Sequence, residues 1–124
     1  MCLRKKNILI VEDDLTHQLL AKYILKDRYN TFIADSFDTA LNVLNQEKID
    51  LILLDIKLNG PKSGFDLVRY MRTKPKWKHL PIIAVTAYAL SEDMCRCLEA
   101  GCTDYLAKPF DRLTLLKTIK KLMQ

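Results

Sequence analysis

Four short apolar runs punctuate the chain: Ile8-Leu9-Ile10-Val11, Leu51-Ile52-Leu53-Leu54, Ile82-Ile83-Ala84-Val85 and Tyr105-Leu106-Ala107. Each is of strand length and apolar at consecutive positions instead of alternate ones, the pattern of a strand covered on both faces. A weaker segment around 31–34 predicts a fifth strand. Between the strands the apolar spacing becomes helical. One helix is predicted over about 15–26, with Asp14 as N-cap and Leu19, Leu20, Tyr23 and Ile24 inward. Ser36 caps a second, bearing Ala40, Leu41, Val43 and Leu44. The loop from Asn59 to Gly64 leads into a third helix over 65–72, stopped by Lys74-Pro75. A fourth over 89–100 has Glu92 and Asp93 in its first turn and Gly101 at its end. Asp111 caps the last, whose Leu115, Ile119 and Leu122 form one stripe. Regular alternation of strand and helix predicts an α/β fold, a parallel sheet with helices on both faces.

In such a sheet the carboxyl ends of the strands share one edge, and ligands bind in the crevice outside it. The residues falling there are Glu12 and Asp13 after the first run, Asp55 after the second, Thr86 after the third, and Lys108 followed by Pro109 after the fourth. Alone, each is ordinary: an aspartate after a strand is usually a cap, a threonine a strand terminus, a lysine a solvated side chain. Together they make a specific set. Two like charges 4 Å apart repel by about 4 kcal/mol at an effective dielectric of 20, so gathered carboxylates need a counter-charge. The Lys108 ammonium and a divalent cation would each supply one. Magnesium, with manganese as a substitute, suits an all-oxygen site that keeps waters and phosphate oxygens as further ligands. Phosphoryl transfer needs chiefly positioning and neutralisation of the moving group, and an aspartate nucleophile needs no general base because aspartates are ionised at neutral pH.

Composition narrows the field. The chain has 124 residues, 49% of them hydrophobic and 28% charged, which suits one folded domain over 1–124 and argues against disorder. No apolar run is long enough to span a bilayer, and the N-terminus lacks the apolar stretch of a secretory signal, so a cytoplasmic protein with no membrane association is expected. The net charge is +5 although the proposed site is acidic. The excess lies in Arg4-Lys5-Lys6, in the segment from Lys74 to His79 around Trp77, and in Lys117, Lys120 and Lys121. Nucleic-acid binding is disfavoured against a solvated basic loop with a half-buried Trp77, and an acidic protein partner fits the charge better. The spacing of Cys2, Cys95, Cys97 and Cys102 matches no zinc pattern. Cys95, Leu98 and Cys102 are expected on one apolar stripe, as small core residues in a reducing compartment. The three glycines are wrongly placed for a dinucleotide fingerprint, and no phosphate-cradling lysine loop is present. A flavin-phosphate enzyme is disfavoured too, because Glu12-Asp13-Asp14 would repel the phosphate.

The sequences Ile-Leu-Ile-Val-Glu12-Asp13-Asp14, Leu-Asp55, Val-Thr86-Ala87 and Lys108-Pro109-Phe110 resemble, in order and spacing, the receiver domain of two-component response regulators. The likeness implies a flavodoxin-like doubly wound five-stranded sheet of order 2-1-3-4-5. It implies Asp55 as phosphoacceptor, Asp13 as direct metal ligand, Glu12 as a ligand through water, and the backbone carbonyl of Lys57 completing the metal shell with Asp55. Thr86 and Lys108 would grip the phosphoryl oxygens, Thr86 and Tyr105 would form the switch, and the Lys108–Pro109 bond would be cis. Asn59 stands where receivers often carry proline, Gly64 falls one residue late, and Lys57 is less usual beside the acceptor than a neutral residue. Lys57 and Tyr88 are expected to crowd the path of a hydrolytic water. The implied function is a magnesium-dependent switch, no enzyme beyond its own phosphorylation and dephosphorylation. A histidine kinase or histidine phosphotransfer protein would phosphorylate it. Output would pass by protein contact through the fourth helix, last strand and last helix, where Leu116 and Met123 widen the apolar arc, with the chain a monomer or weak phospho-dependent dimer. With no residues left for an output domain, a stand-alone receiver is expected. The alternative is a phosphorylation-independent scaffold on the same fold.

Overall fold

The computed structural model describes residues 5–58, 60–87 and 91–123, without the side chains of Ser91 and Asp93. In chain order the elements are β1 (Asn7–Val11), α1 (Leu15–Leu25), β2 (Asn30–Ala34), α2 (Phe37–Gln46), β3 (Leu51–Asp55), α3 (Gly64–Arg72), a 3-10 turn (Pro75–Trp77), β4 (Ile82–Thr86), α4 (Ser91–Ala100), β5 (Asp104–Ala107) and α5 (Arg112–Met123). The five strands are all parallel and lie in the order β2-β1-β3-β4-β5, as the flavodoxin-like expectation required. The proposed start of the fourth helix at residue 89, Tyr88 and Asn59 lie outside the described residues.

The strands read as uniformly apolar because both of their faces are covered. Leu9, Val11, Ile52, Leu54, Ile82 and Ala84 face one way, into a core closed by α2, α3 and α4. Ile8, Ile10, Leu51, Leu53, Ile83 and Val85 face the other way, against Ala21, Ile24 and Leu25 of α1 and Leu115, Leu116 and Ile119 of α5. The period of two is present in the side-chain directions but invisible in the residue types. Local chemistry sets the helix starts. Asp14 Oδ1 accepts the backbone N–H of Thr16 at 2.8 Å, Ser36 and Thr39 form a capping box, and Asp111 Oδ1 accepts the Thr114 N–H at 2.7 Å.

The phase of two helices departs from expectation. On α1, Leu19, Leu20 and Tyr23 are exposed by 54%, 49% and 62%, while Ala21, Ile24 and Leu25 are buried. Apolar residues occupy both arcs of this helix, so periodicity could not choose between them; the small Ala21 lets the helix approach the sheet closely. On α4, Cys97 and Ala100 face the core, whereas Cys95 and Leu98 point outward. The helix closes by two backbone bonds, Cys102 N–H to Cys97 O and Gly101 N–H to Leu98 O. Gly101 has φ +114°, and an added Cβ would sit 2.8 Å from Arg72 Cγ, so glycine is required twice over. Trp77 is buried instead of half-buried, with Lys76 Nζ 4.4 Å from its ring centroid, so its face is not open to stack a base. Leu116 is buried and Met123 packs against the same core, so neither widens an exposed surface.

Burial pushes the Cys102 thiol up to about 12, with the neighbouring Cys97 adding to the effect. The thiolate, not the thiol, attacks an alkylating reagent. Brief alkylation at neutral pH followed by tryptic mapping, which separates Cys95 from Cys97 at Arg96, is expected to modify Cys95 and spare Cys97 and Cys102 until denaturant is added. Labelling of Cys102 as fast as Cys95 in the native state would contradict this packing.

Candidate functional site

The carboxyl edge of the sheet assembles the site from backbone register. Glu12 follows β1, and its N–H bonds to Ala34 O at 2.9 Å, which directs the buried side chain back over the strand ends. Asp55 closes β3 in register with Val85 and is 9% exposed. The Lys57 N–H donates to Asp55 Oδ1 at 3.0 Å, while the Lys57 side chain is exposed. The loop returns at once: Gly64 N–H bonds to Ile56 O at 2.9 Å, and a Cβ on Gly64 would lie 2.8 Å from both Asp55 O and Ile56 Cα. Only glycine permits that approach of α3 to the end of β3.

Thr86 ends β4 and is buried; its carbonyl accepts the Lys108 backbone N–H at 2.8 Å. That bond fixes where the Lys108 side chain departs. Its Nζ donates to Glu12 Oε1 at 2.8 Å and to Asp55 Oδ2 at 3.1 Å, and lies 3.1 Å from His17 Nδ1. The Lys108–Pro109 peptide is cis. Tyr105 is half-buried against the α2–α4 side of the core, opposite Ala84 and therefore on the same sheet face as Thr86, two residues on.

Glu12, Asp13 and Asp55 each offer a carboxylate oxygen within 4.8 Å of the others. This all-oxygen donor set suits a hard divalent cation and no soft one. The electrostatics show the strain of gathering them. Burial raises the Glu12 pKa, and the adjoining Asp55 carboxyl raises it further, against the opposing pull of Lys108. Burial is also the largest influence on Lys108, drawing its pKa down, but hydrogen bonds to Glu12 and Asp55 and their charges outweigh it and leave the pKa raised. The ammonium therefore stays charged, and its contribution to folding is lost only as the pH rises through its elevated pKa. Glu12 runs the other way: its proton is favoured in the folded state, so ionising it costs stability as the pH climbs above the ordinary carboxylate range.

Two cavities flank this pairing. One of about 400 Å³ is bounded by Glu12, Asp13, Asp55, Lys57, Thr86 and Lys108, together with Phe65 and Arg96. The other, about 340 Å³, lies toward α1 and β5 and is walled mainly by apolar groups such as Leu20, Val85 and Phe110. The residues read from sequence converge, except that Tyr105 sits behind the cavities and not in them. His17 and Arg96 were missed. For His17 a signal existed: with Asp14 as N-cap it is the third helical residue, and helical side chains lean toward the N-terminus, here toward the strand ends. Arg96, 4.9 Å from the Phe65 ring centroid, had none, since its position depends on how α4 packs on α3.

A doubly wound parallel sheet with an acidic cluster and a lysine at its carboxyl edge defines an α/β class of protein with a polar site at the strand ends, and comparison with known proteins gives the family. The chain belongs to the response regulator receiver domain family, whose model matches residues 8–120. Domains of this family are signalling switches, not conventional enzymes, and they interact with histidine kinases and downstream effectors. The chain is 33% identical over 120 residues to the phosphate regulon transcriptional regulatory protein PhoB of Escherichia coli, covering 96% of this chain and 52% of that protein. It thus spans about half the length of that relative. It is 35% identical over 119 residues to the chemotaxis protein CheY of Pseudomonas aeruginosa, covering 94% of this chain and 95% of that protein. Among solved structures, the receiver domain of sensor histidine kinase PA1611 from P. aeruginosa, with a magnesium ion in its active-site cleft, superposes with a TM-score of 0.88. The two share 32% identity over 97% of this chain and 98% of that one.

Removing one carboxylate while leaving both Lys108 pairs intact should relieve the cluster. Asp13→Ala is expected to raise the metal-free melting temperature, equivalent to about 1–2 kcal/mol after solvent screening. Thermal unfolding in chelator checks it; a variant that melts below the parent would mean that the cluster is not repulsive.

Proposed function

We propose that this chain is a phosphorelay switch: Asp55 accepts a phosphoryl group from a histidine kinase or histidine phosphotransfer protein in a magnesium-dependent reaction, and the signal passes on by protein contact. One observation carries this reading, the Lys108 ammonium bonded at once to Asp55 and Glu12 beside a cavity that Thr86 also bounds. Both oxygens of Asp55 are held, Oδ1 by the Lys57 N–H and Oδ2 by Lys108, so the nucleophile is oriented before the donor arrives. One carboxylate oxygen forms the new P–O bond as the donor's P–N bond breaks, the electron pair returning to the donor imidazole. Lys108 and the Thr86 hydroxyl then bind the phosphoryl oxygens. Asp13, Asp55, the Lys57 carbonyl and Glu12 through a water would hold magnesium, or manganese in its place, which when bound neutralises charge on the phosphoryl group.

The phosphoryl group adds about −1.5 to −2 of charge. Thr86 drawn toward it vacates space on the sheet face that Tyr105 shares, and the half-buried ring can turn inward. That links the site to the face formed by α4, β5 and α5, which we propose receives the downstream target. Exposed Leu98, Leu113, Lys117 and Lys121 lie on those helices. The phosphodonor we place on α1, where exposed Leu15, Leu19 and Tyr23 form an i, i+4, i+8 stripe beside Leu20 at the apolar cavity. Among the described residues no helix is long and apolar enough to cross a membrane. The switch is proposed to act in the cytoplasm, as a monomer or a weak phospho-dependent dimer, catalysing only its own phosphorylation and dephosphorylation.

Incubation with a small-molecule phosphodonor and magnesium, read by intact mass, tests the reading. One phosphate is expected on the parent chain, none on Asp55→Asn and none in chelator; an unmodified parent would overturn it. The lifetime of the acyl phosphate offers a separate check. The Lys57 side chain, exposed beside the acceptor, is proposed to crowd the line of approach of water, so Lys57→Asn should lose phosphate severalfold faster. Equal decay in the two proteins, measured with excess magnesium, would remove Lys57 from that role.

A further inference from the structure

An ammonium has three N–H donors and no acceptor. Two of those of Lys108 go to Glu12 and Asp55, and the third points to Nδ1 of His17, 3.1 Å away. Since Lys108 can only donate, a neutral His17 ring meets it with Nδ1 as acceptor and its proton on Nε2. Glu12 Oε1 lies 3.4 Å from the same Nδ1, longer than a good hydrogen bond. The ring is placed from below by the capped first turn of α1, where the His17 N–H reaches Asp14 Oδ1 at 3.3 Å. It borders both cavities, and its side chain is 47% exposed, so core packing does not account for its position.

The geometry points to His17 as a positioning residue, a latch on α1 that holds one donor of Lys108 until a phosphoryl group arriving at Asp55 claims it. The inference rests on the reading of Asp55 as phosphoacceptor. Of the three acceptors on Lys108, a neutral imidazole binds more weakly than the two carboxylates, because hydrogen bonds to charged acceptors are roughly twice as strong as neutral ones. Anionic phosphoryl oxygens entering the site therefore displace the His17 contact first, while Asp55 is still a carboxylate and before the P–O bond forms. Its release frees a ring on the same helix that carries the exposed Leu15, Leu19 and Tyr23 stripe. The state of the acceptor is then felt at α1 as well as at Thr86 and Tyr105.

Two measurements decide it. In the metal-free, unphosphorylated chain labelled with 15N, long-range ring spectra should show His17 as the Nε2–H tautomer with a hydrogen-bonded Nδ1, and Lys108→Ala should shift that Nδ1 signal. Absence of the signal in His17→Asn distinguishes it from His79. Identical His17 signals in the parent and Lys108→Ala overturn the latch whatever happens at Asp55. With a small phosphodonor and magnesium, His17→Leu has no latch to break and should take up phosphate roughly three- to tenfold faster, the size of one ordinary hydrogen bond. His17→Asn, whose Oδ1 can take the place of Nδ1, should match the parent. A His17→Leu rate equal to the parent's, or His17→Asn as fast as His17→Leu, overturns the latch. A parent that takes up no phosphate refutes the phosphoacceptor reading instead, and the ring spectra then decide the latch.

Discussion

The ammonium of Lys108 lies 2.8 Å from Glu12 and 3.1 Å from Asp55, and the order of the whole carboxyl edge turns on those two contacts. Lys108 and Glu12 stand 96 residues apart in the chain, on strands with two others between them. The pairing forms only when β1, β3, β4 and β5 are in register and the Lys108 amide is tied to Thr86 O. In return, the cation offsets repulsion that would otherwise work against bringing the ends of β1 and β3 together. An interaction of this kind does little as isolated stability, because burying charges carries its own desolvation cost. Its value is specificity: it ties one register of the sheet to one arrangement of reactive groups.

Around that pairing the structure is rigid where the chemistry needs it. Gly64 lets α3 begin in contact with the backbone of Asp55 and Ile56, leaving the acceptor little room to shift. On the far side of the same helix, the Arg72 guanidinium donates to the carbonyls of Gly101 and Trp77, both at 2.9 Å, and so stitches the end of α3 to the α4–β5 turn and to the 3-10 turn. The two α-helical layers are therefore anchored differently. α3 is pinned at both ends, whereas α1 rests on a few small and branched side chains and keeps a broad apolar face in solvent.

Charge is divided in the same spirit. A chain with a net charge of +5 gathers Glu12, Asp13 and Asp55 at one edge, and some of its basic side chains lie over aromatic rings: Lys74 lies 5.0 Å from the centroid of Tyr70, and Lys76 lies 4.4 Å from that of Trp77. Such contacts cover apolar surface while leaving the charge in water. The acidic cluster is thus a local exception in a chain whose overall charge is positive.

Four of the five strands were legible in the sequence because burial on both faces writes itself as unbroken apolar runs, whereas their order in the sheet came from the family resemblance; the convergence of Glu12, Asp55, Thr86 and Lys108 was legible because each follows such a run. Asp14, Ser36 and Asp111 announced helix starts through chemistry that acts within four residues. What the sequence could not settle was rotational phase and long-range contact. Leu19 and Tyr23 looked inward by spacing, yet the sheet accepted the arc containing Ala21; Cys95 and Leu98 gave way to Cys97 and Ala100 for the same reason. A helix with apolar residues on two arcs is ambiguous until something packs against it. His17 shows the limit most clearly. Its place in the first turn of α1 followed from the Asp14 cap, but its contact with Lys108, 91 residues away, exists only because the sheet register sends the Lys108 side chain from the end of β5 across the strand ends to α1.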